Sequence, residues 1–560
     1  MERGGLLHLG RLCLHRLHRA RVRRAAPPLF RDAEDRRHPG GSAVGHAEGL
    51  VHGAGEPVKG RHARPHPPQC GGRPHRGAAE PQGPQEMTKL VVGPFNRVEG
   101  DLEVHLDVAE GRVVSARVNA PLYRGFERML EGRDPRDALT ITPRICGICS
   151  ISQSMAAARA LGAAMGIEPT PEGARVAALI HAVENVSDHL THFNLFFMPD
   201  FTRPAYAGRP WHGRAVARFT AIEGSAQREA VAARAELMHI LGLLAGKWPH
   251  TLAIQPGGVT RAPGPSERMR ILASLRAFRR FLERVMIGGP LEEFVELPDK
   301  AALMRWQRGD AGLFLEIAAD LGLESLGRGG GRYLSFGAYP LATGRIWPEG
   351  IREREARPLD LSLIREDLSH SWMLGPTAHP SAGQTLPDEE MRDPAYSWCK
   401  APRFDGLPME TGALARQVVA GHPLALDLAR EGGVLARVAA RLLELARTQL
   451  VMEDLAGAID VTARFMAAPA PVPEAGQGAG LVEAARGALG HWLSIRNGLI
   501  STYQIVAPTT WNFSPRDAAG VPGPLEAALV DAPVREGEET PVSVQHVVRS
   551  FDPCMVCTVH

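Results

Sequence analysis

Two cysteine pairs of the form CxxC stand at opposite ends of this 560-residue chain: Cys146 and Cys149 in "RICGIC", and Cys554 and Cys557 in "DPCMVCTVH". Thiolates are soft ligands that suit Zn, Cu(I), Fe and Ni, and a CxxC offers two of them to one metal. The remaining cysteines are Cys13, Cys70 and Cys399. Such sparse, paired usage argues for metal or redox chemistry rather than a disulfide framework. The pairs lie 408 positions apart, Cys149 to Cys557. The two halves of a structural zinc site usually sit about 15–20 residues apart in one small module. The spacing alone therefore leaves open a structural zinc, two separate redox pairs, or one site assembled from both ends of the fold.

The elements around these pairs read as a globular protein. Composition is 44% hydrophobic and 22% charged, and no apolar run reaches the ~18 residues that a transmembrane helix needs. Residues 1–86 hold 15 Lys and Arg against 8 Asp and Glu, and the remainder 49 against 54. A mildly acidic body has no nucleic-acid footprint. The Arg-, Gly- and Pro-rich stretch 1–86 has 9 of the 22 histidines and no sustained periodicity. It reads as a disordered or non-native arm upstream of a start at Met87, a basic partner- or membrane-binding arm being the alternative. Residues 87–560 form the body.

Within the body, 97–119 alternates apolar and polar residues around Glu-Gly, the pattern of a β-hairpin. The Ala-rich run after Cys149 reads as a helix packed tightly against another helix. Over 172–197 an apolar stripe at helical spacing puts His181, Asp188 and His192 on the other face, while "FNLFFM" points to burial on most sides. Helical patterns recur near 223–246, 266–286, 411–461 and 480–500, with Pro/Gly-rich breaks at 255–265, 328–350, 374–388 and 467–480. The fold class is mainly α with smaller α+β parts.

The flanks of the cysteines narrow the choice. "RICGIC" and "DPCMVCTVH", with "RVEG" (97–100), "GRDPRDA" (132–138), "SDHLTHF" (187–193), "KWPHTLAIQPGGVT" (247–260), "HPSAGQT" (379–385), "KAPRFDG" (400–406), "EAARG" (483–487) and "YQIVAPTTWNFSPRD" (503–517), resemble the nickel–iron hydrogenase large subunit over 87–560. The resemblance implies a compact, multi-segment large-subunit fold. It implies a Ni–Fe centre on Cys146, Cys149, Cys554 and Cys557, with Cys149 and Cys557 bridging to an iron that carries CN and CO ligands installed by maturation proteins. The implied reaction is reversible heterolytic cleavage of H2. Glu99 matches a proton-relay carboxylate receiving from Cys554. Arg403 matches an arginine above the metals, with Asp188 and Asp552 holding it and Pro402 fitting the same surroundings. Glu127 and His560 match ligands of Mg2+, joined by a backbone carbonyl from about 504–508. His189 and His491 are taken as packing histidines.

Four cysteines are consumed by such a centre, and Cys399 alone cannot hold an iron–sulfur cluster, which typically takes four. Electrons must therefore pass to a partner small subunit that carries Fe–S clusters. Two features resemble the regulatory, H2-sensing branch. Gln153 stands where most catalytic members have histidine, and no cleavable extension follows His560. That branch turns over H2 slowly and signals to a histidine kinase in the cytoplasm. The alternative is a catalytic uptake hydrogenase that delivers electrons to a respiratory chain and is membrane-associated through partner subunits.

Overall fold

The computed structural model describes residues 87–560. The arm read over 1–86, with Cys13 and Cys70, lies outside the described residues. The hairpin forms as its alternation predicts: strand Glu103–Ala109 pairs antiparallel with Arg112–Asn119. The two turn residues, Glu110 and Gly111, have φ of 52° and 70°, the positive values a two-residue hairpin turn requires. Val104, Leu106 and Val108 point into the core. Strand Thr88–Val92 extends the sheet on the other edge of Glu103–Ala109. Residues 97–102 are not part of the hairpin. They form a connection that runs beside the C-terminal cysteines.

Helices supply most of the rest. Pro171–Thr191 starts on a Thr170 cap, whose hydroxyl accepts from Gly173 N, and carries Pro at its first position. His181, Asp188 and His192 are all buried, so the face opposite the apolar stripe is covered as well. A π-turn, His192–Phe197, ends this helix. Ser225–Leu244 and Val434–Gly457 pack against it, and Pro265–Phe281 packs against both of those helices. The pattern over 411–461 divides into Ala413–Val419, Pro423–Leu428 and Val434–Gly457. Gly421 and Gly432, at φ 74° and 63°, end the first two of these helices.

Two readings are corrected. Residues 480–500 are strands: Ala475–Ala484, Gly487–Arg496 and Leu499–Val506 form an antiparallel meander. Both faces of its middle strand are buried, so polar alternation is lost and the run resembles a helix. The stretch 328–350, read as a break, contains most of a second hairpin, Tyr333–Leu341 with Gly344–Arg352.

The meander also explains the Ala-rich helix Ser150–Met165, which packs chiefly against strands Ala475–Ala484 and Gly487–Arg496 and, to a lesser extent, against the helix Pro171–Thr191. A Cβ on Gly478 would stand 2.0 Å from Ala160 O, and one on Gly480 would stand 1.8 Å from Ala156 O. Glycine at alternate strand positions and alanine on the helix let the two backbones meet. The class remains mainly helical with small sheets.

Candidate metal centre

Cys149 is the residue that precedes the first turn of Ser150–Met165. The free N–H groups of that turn are taken by Glu184, whose carboxylate accepts from Ile151 N (2.8 Å) and Ser152 N (2.9 Å). The second pair follows helix Val542–Ser550 and a reversal at Asp552 (φ 59°), and it brackets a short 3₁₀ turn, Met555–Cys557, with Cys554 just before the turn and Cys557 at its end. Glu99 clamps this tail by its main chain: its N donates to Pro553 O (3.4 Å) and its O accepts from Met555 N (2.6 Å). Arg124 ties the two pairs together, one nitrogen donating to Ile145 O (2.6 Å) and Val556 O (3.0 Å). Thr509 Oγ1 accepts from Cys554 N at 3.1 Å.

These supports bring all four sulfurs within 4.8 Å of one another. Cys146 and Cys554 are 3.5 Å apart, Cys149 and Cys557 3.2 Å, and Cys554 and Cys557 3.1 Å. All four are buried. Hydrogen bonds from its neighbours, Cys149 first, hold the Cys146 thiol well below its ordinary value. Those neighbours are raised above theirs. Thiolates packed this closely need a cation among them. The donor set fits a soft metal centre. Cys399 stands outside it, donating to Lys400 O at 3.2 Å, its thiol pushed up by burial.

The arginine expected between Asp188 and Asp552 is not Arg403. Arg403 lies on strand Ala401–Phe404 and reaches the 514–521 loop. There it donates to Asp517 (2.9 Å), Ser514 Oγ (3.1 Å) and the Pro515 and Val521 carbonyls (3.1 Å each), and Pro402 O takes a fifth bond at 3.0 Å. Arg486, at the turn between Ala475–Ala484 and Gly487–Arg496, occupies the expected position. It donates to both Asp188 oxygens (2.5 and 3.2 Å), to Asp552 Oδ1 (3.1 Å) and to Asp552 O (2.9 Å). Burial alone would lower the Arg486 pKa, but Asp188, Asp552 and the charges of Cys554 and Cys149 hold it well above its ordinary value. Both arginines follow small residues in similar local sequence. The one signal was Gly487, at φ 134°, where a Cβ would stand 2.4 Å from Thr411 Oγ1 and the backbone turns inward.

Glu99 is half-buried, and burial, followed by the Cys146 charge, raises its carboxyl above the ordinary value. On another side, Glu127 accepts from Ile505 N (2.8 Å), Lys400 Nζ (3.2 Å) and Thr385 Oγ1. Lys400 also donates to Gln504 Oε1 at 2.7 Å and lies 3.6 Å from Glu366. Burial, followed by the Lys400 charge, keeps the buried His560 imidazole neutral, and its Nε2 has no hydrogen-bond partner among the described residues. A carboxylate and a neutral ring nitrogen in one buried region fit a second cation. His189 is more than a packing residue: it bonds Glu444 at 3.0 Å. Arg124, Glu184, Lys400, Arg486 and Thr509 were not singled out in the sequence, because their roles rest on partners distant along the chain.

The model of the nickel-dependent hydrogenase family matches residues 124–207 and 226–560. The large subunit of the periplasmic NiFeSe hydrogenase of Desulfomicrobium baculatum is 30% identical, over 84% of this chain and 95% of that one. The hydrogenase-2 large chain of Escherichia coli (strain K12) is 26% identical, over 84% and 97%. The uptake hydrogenase large subunit of Rhodobacter capsulatus is 28% identical, over 84% and 95%. The reduced Ni-Fe-Se hydrogenase from D. vulgaris Hildenborough superposes with a TM-score of 0.74 at 28% identity, covering 85% of this chain and 100% of that one. One of these relatives is named an uptake hydrogenase and another a periplasmic one. Among the described residues no helix is long and apolar enough to cross a membrane.

Proposed function

Because the chain belongs to the nickel-dependent hydrogenase family and is the large subunit of such an enzyme, we propose that it serves an uptake hydrogenase that oxidises H2 on Cys146, Cys149, Cys554 and Cys557. The observation that carries this reading is the convergence of those four sulfurs within 4.8 Å, from the two ends of the fold. When bound, a nickel–iron pair, with CN and CO on iron inserted by maturation proteins, supplies the Lewis acidity and redox capacity for heterolytic H2 cleavage.

The chain's own groups do the rest. Arg486, pinned by Asp188 and Asp552, holds a fixed positive charge near Cys149 and Cys554. A preoriented charge needs no reorganisation as the reaction's charge develops. Glu99, its carboxyl raised by burial, takes the proton from Cys554 Sγ and passes it outward. Glu127 and His560 hold Mg2+, which ties the C-terminus to the core. Arg403 has no part in the chemistry and braces the 514–521 loop. A small subunit carrying Fe–S clusters takes the electrons and leads them toward a respiratory chain at the membrane.

Gln153 favours a second reading, an H2 sensor of slow turnover that signals to a histidine kinase. One experiment separates the two readings. The purified large–small complex is assayed for nickel, iron and zinc and for H2-dependent dye reduction. One Ni and one Fe per chain with fast turnover is expected. Slow turnover with a co-purifying kinase would select the sensor, and stoichiometric zinc without nickel would remove both.

A further inference from the structure

Gln153 stands four residues after Cys149, fully buried on the Ser150–Met165 helix. Its amide Nε2 lies 4.0 Å from Cys557 Sγ, and its Oε1 lies 2.8 Å from His491 Nε2. The same amide turned over would aim a carbonyl lone pair at the sulfur. Only its partners decide which end faces Cys557.

The deciding partner is two steps away. His491, on strand Gly487–Arg496, has its Nδ1 2.8 Å from Tyr503 Oη on strand Leu499–Val506. Tyr503 is wholly buried, and its hydroxyl has no other hydrogen-bond partner among the described residues. Burial raises its pKa, so the phenol keeps its proton. That proton has one destination, Nδ1. Burial pushes the His491 pKa down to about 3, so the imidazole is neutral and carries a single N–H. With Nδ1 accepting, the hydrogen sits on Nε2 and donates to Gln153 Oε1. The Gln153 amide N–H then faces Cys557. The opposite arrangement leaves a buried O–H unpaired and a carbonyl against a thiolate, and both are unfavourable.

We infer that His491 and Tyr503 are positioning residues, which lock the Gln153 amide so that the Cys557 sulfur receives a neutral N–H donor that does not titrate. The inference rests on the reading of Cys557 as a metal thiolate. An N–H at a metal-bound sulfur draws electron density from it and tunes the metal. Here the donor is set by a chain of three side chains and carries no charge that pH can change.

Neutron diffraction on the perdeuterated, nickel-loaded large–small complex tests this. The expected map has deuterium on His491 Nε2, on Tyr503 Oη toward Nδ1, and on the Gln153 nitrogen facing Cys557. Deuterium on Nδ1, or the Gln153 oxygen facing sulfur, overturns the inference. Variants give a second reading. Tyr503→Phe should keep its nickel yet shift the nickel EPR g-values in the direction that Gln153→Leu shifts them. The double variant should show no further shift beyond Gln153→Leu. Unchanged g-values in Tyr503→Phe, or additive shifts, overturn it. A wild-type complex without nickel overturns the metal reading itself, a result distinct from a misplaced deuterium.

Discussion

Arg486 reaches Asp188 with both terminal guanidinium nitrogens, at 2.5 and 3.2 Å, across 298 positions of sequence. Asp552, two residues before Cys554, takes the other side of the same guanidinium at 3.1 Å. A side chain held on two sides cannot swing away, and lysine cannot reproduce its fork. Arg486→Lys should therefore lower H2 oxidation by about 10²–10³-fold, with nickel content unchanged. Arg403→Lys should behave in the opposite way. It keeps the charge beside Asp517 but loses several of the fork's buried hydrogen bonds, at a cost of about 1–3 kcal/mol, and leaves turnover per nickel near wild type. Measured melting and dye reduction with the two effects exchanged would return the role to Arg403.

Cys557→Ser replaces a soft ligand with a hard one at the crowded centre of the cluster, where Cys149 and Cys554 lie 3.2 and 3.1 Å away. Nickel retention and H2 activity should both be lost. Elemental analysis showing wild-type nickel in this variant would remove Cys557 from the ligand set.

Acid stability should depend on Glu444. Burial raises this carboxyl, but Arg416 (2.7 and 3.1 Å) and His189 (3.0 Å) outweigh it and hold it down to about 2. A depressed carboxylate contributes stability above its unfolded pKa and loses that contribution as pH falls through the folded value. The loss here runs from about 4.5 to about 2 and totals on the order of 3 kcal/mol. Urea unfolding at a series of pH values should show this slope flattened in Glu444→Gln, which is also less stable at neutral pH. An unchanged slope would place the acid-sensitive group elsewhere.

The contact between the meander and the helix is another test. Gly480→Ala puts a methyl 1.8 Å from Ala156 O, where backbone must shift, at a cost of about 1–3 kcal/mol or more. The helix it displaces begins just after Cys149, so the apparent melting temperature and the nickel content should fall together. Gly242→Ala, where an added Cβ meets nothing within 4 Å, should be neutral or stabilising.

Much of this was legible before any coordinates. The hairpin around Glu110–Gly111 follows from alternation, and the Pro171–Thr191 helix from its stripe and cap. The meander was not legible, because its glycines and its doubly buried strand erase the period-two signal. Asp188 is a fair intermediate case. Its place on the helix was readable, but whether that face met solvent depended on what packed over it.

The sequence by itself determined the ligand types, since two CxxC pairs can present four soft donors wherever the chain carries them. It also set the count of cysteines left over, which among the described residues is one, Cys399, too few for an iron–sulfur cluster that typically takes four. Only the tertiary structure decided which arginine meets Asp188 and Asp552, which histidine fixes Gln153, and that Cys146 and Cys554 share one pocket. Local propensity acts over a few residues, whereas these contacts span from 66 to 408 positions of sequence. Over such spans the partner is chosen by packing of the whole body, and no local pattern records it.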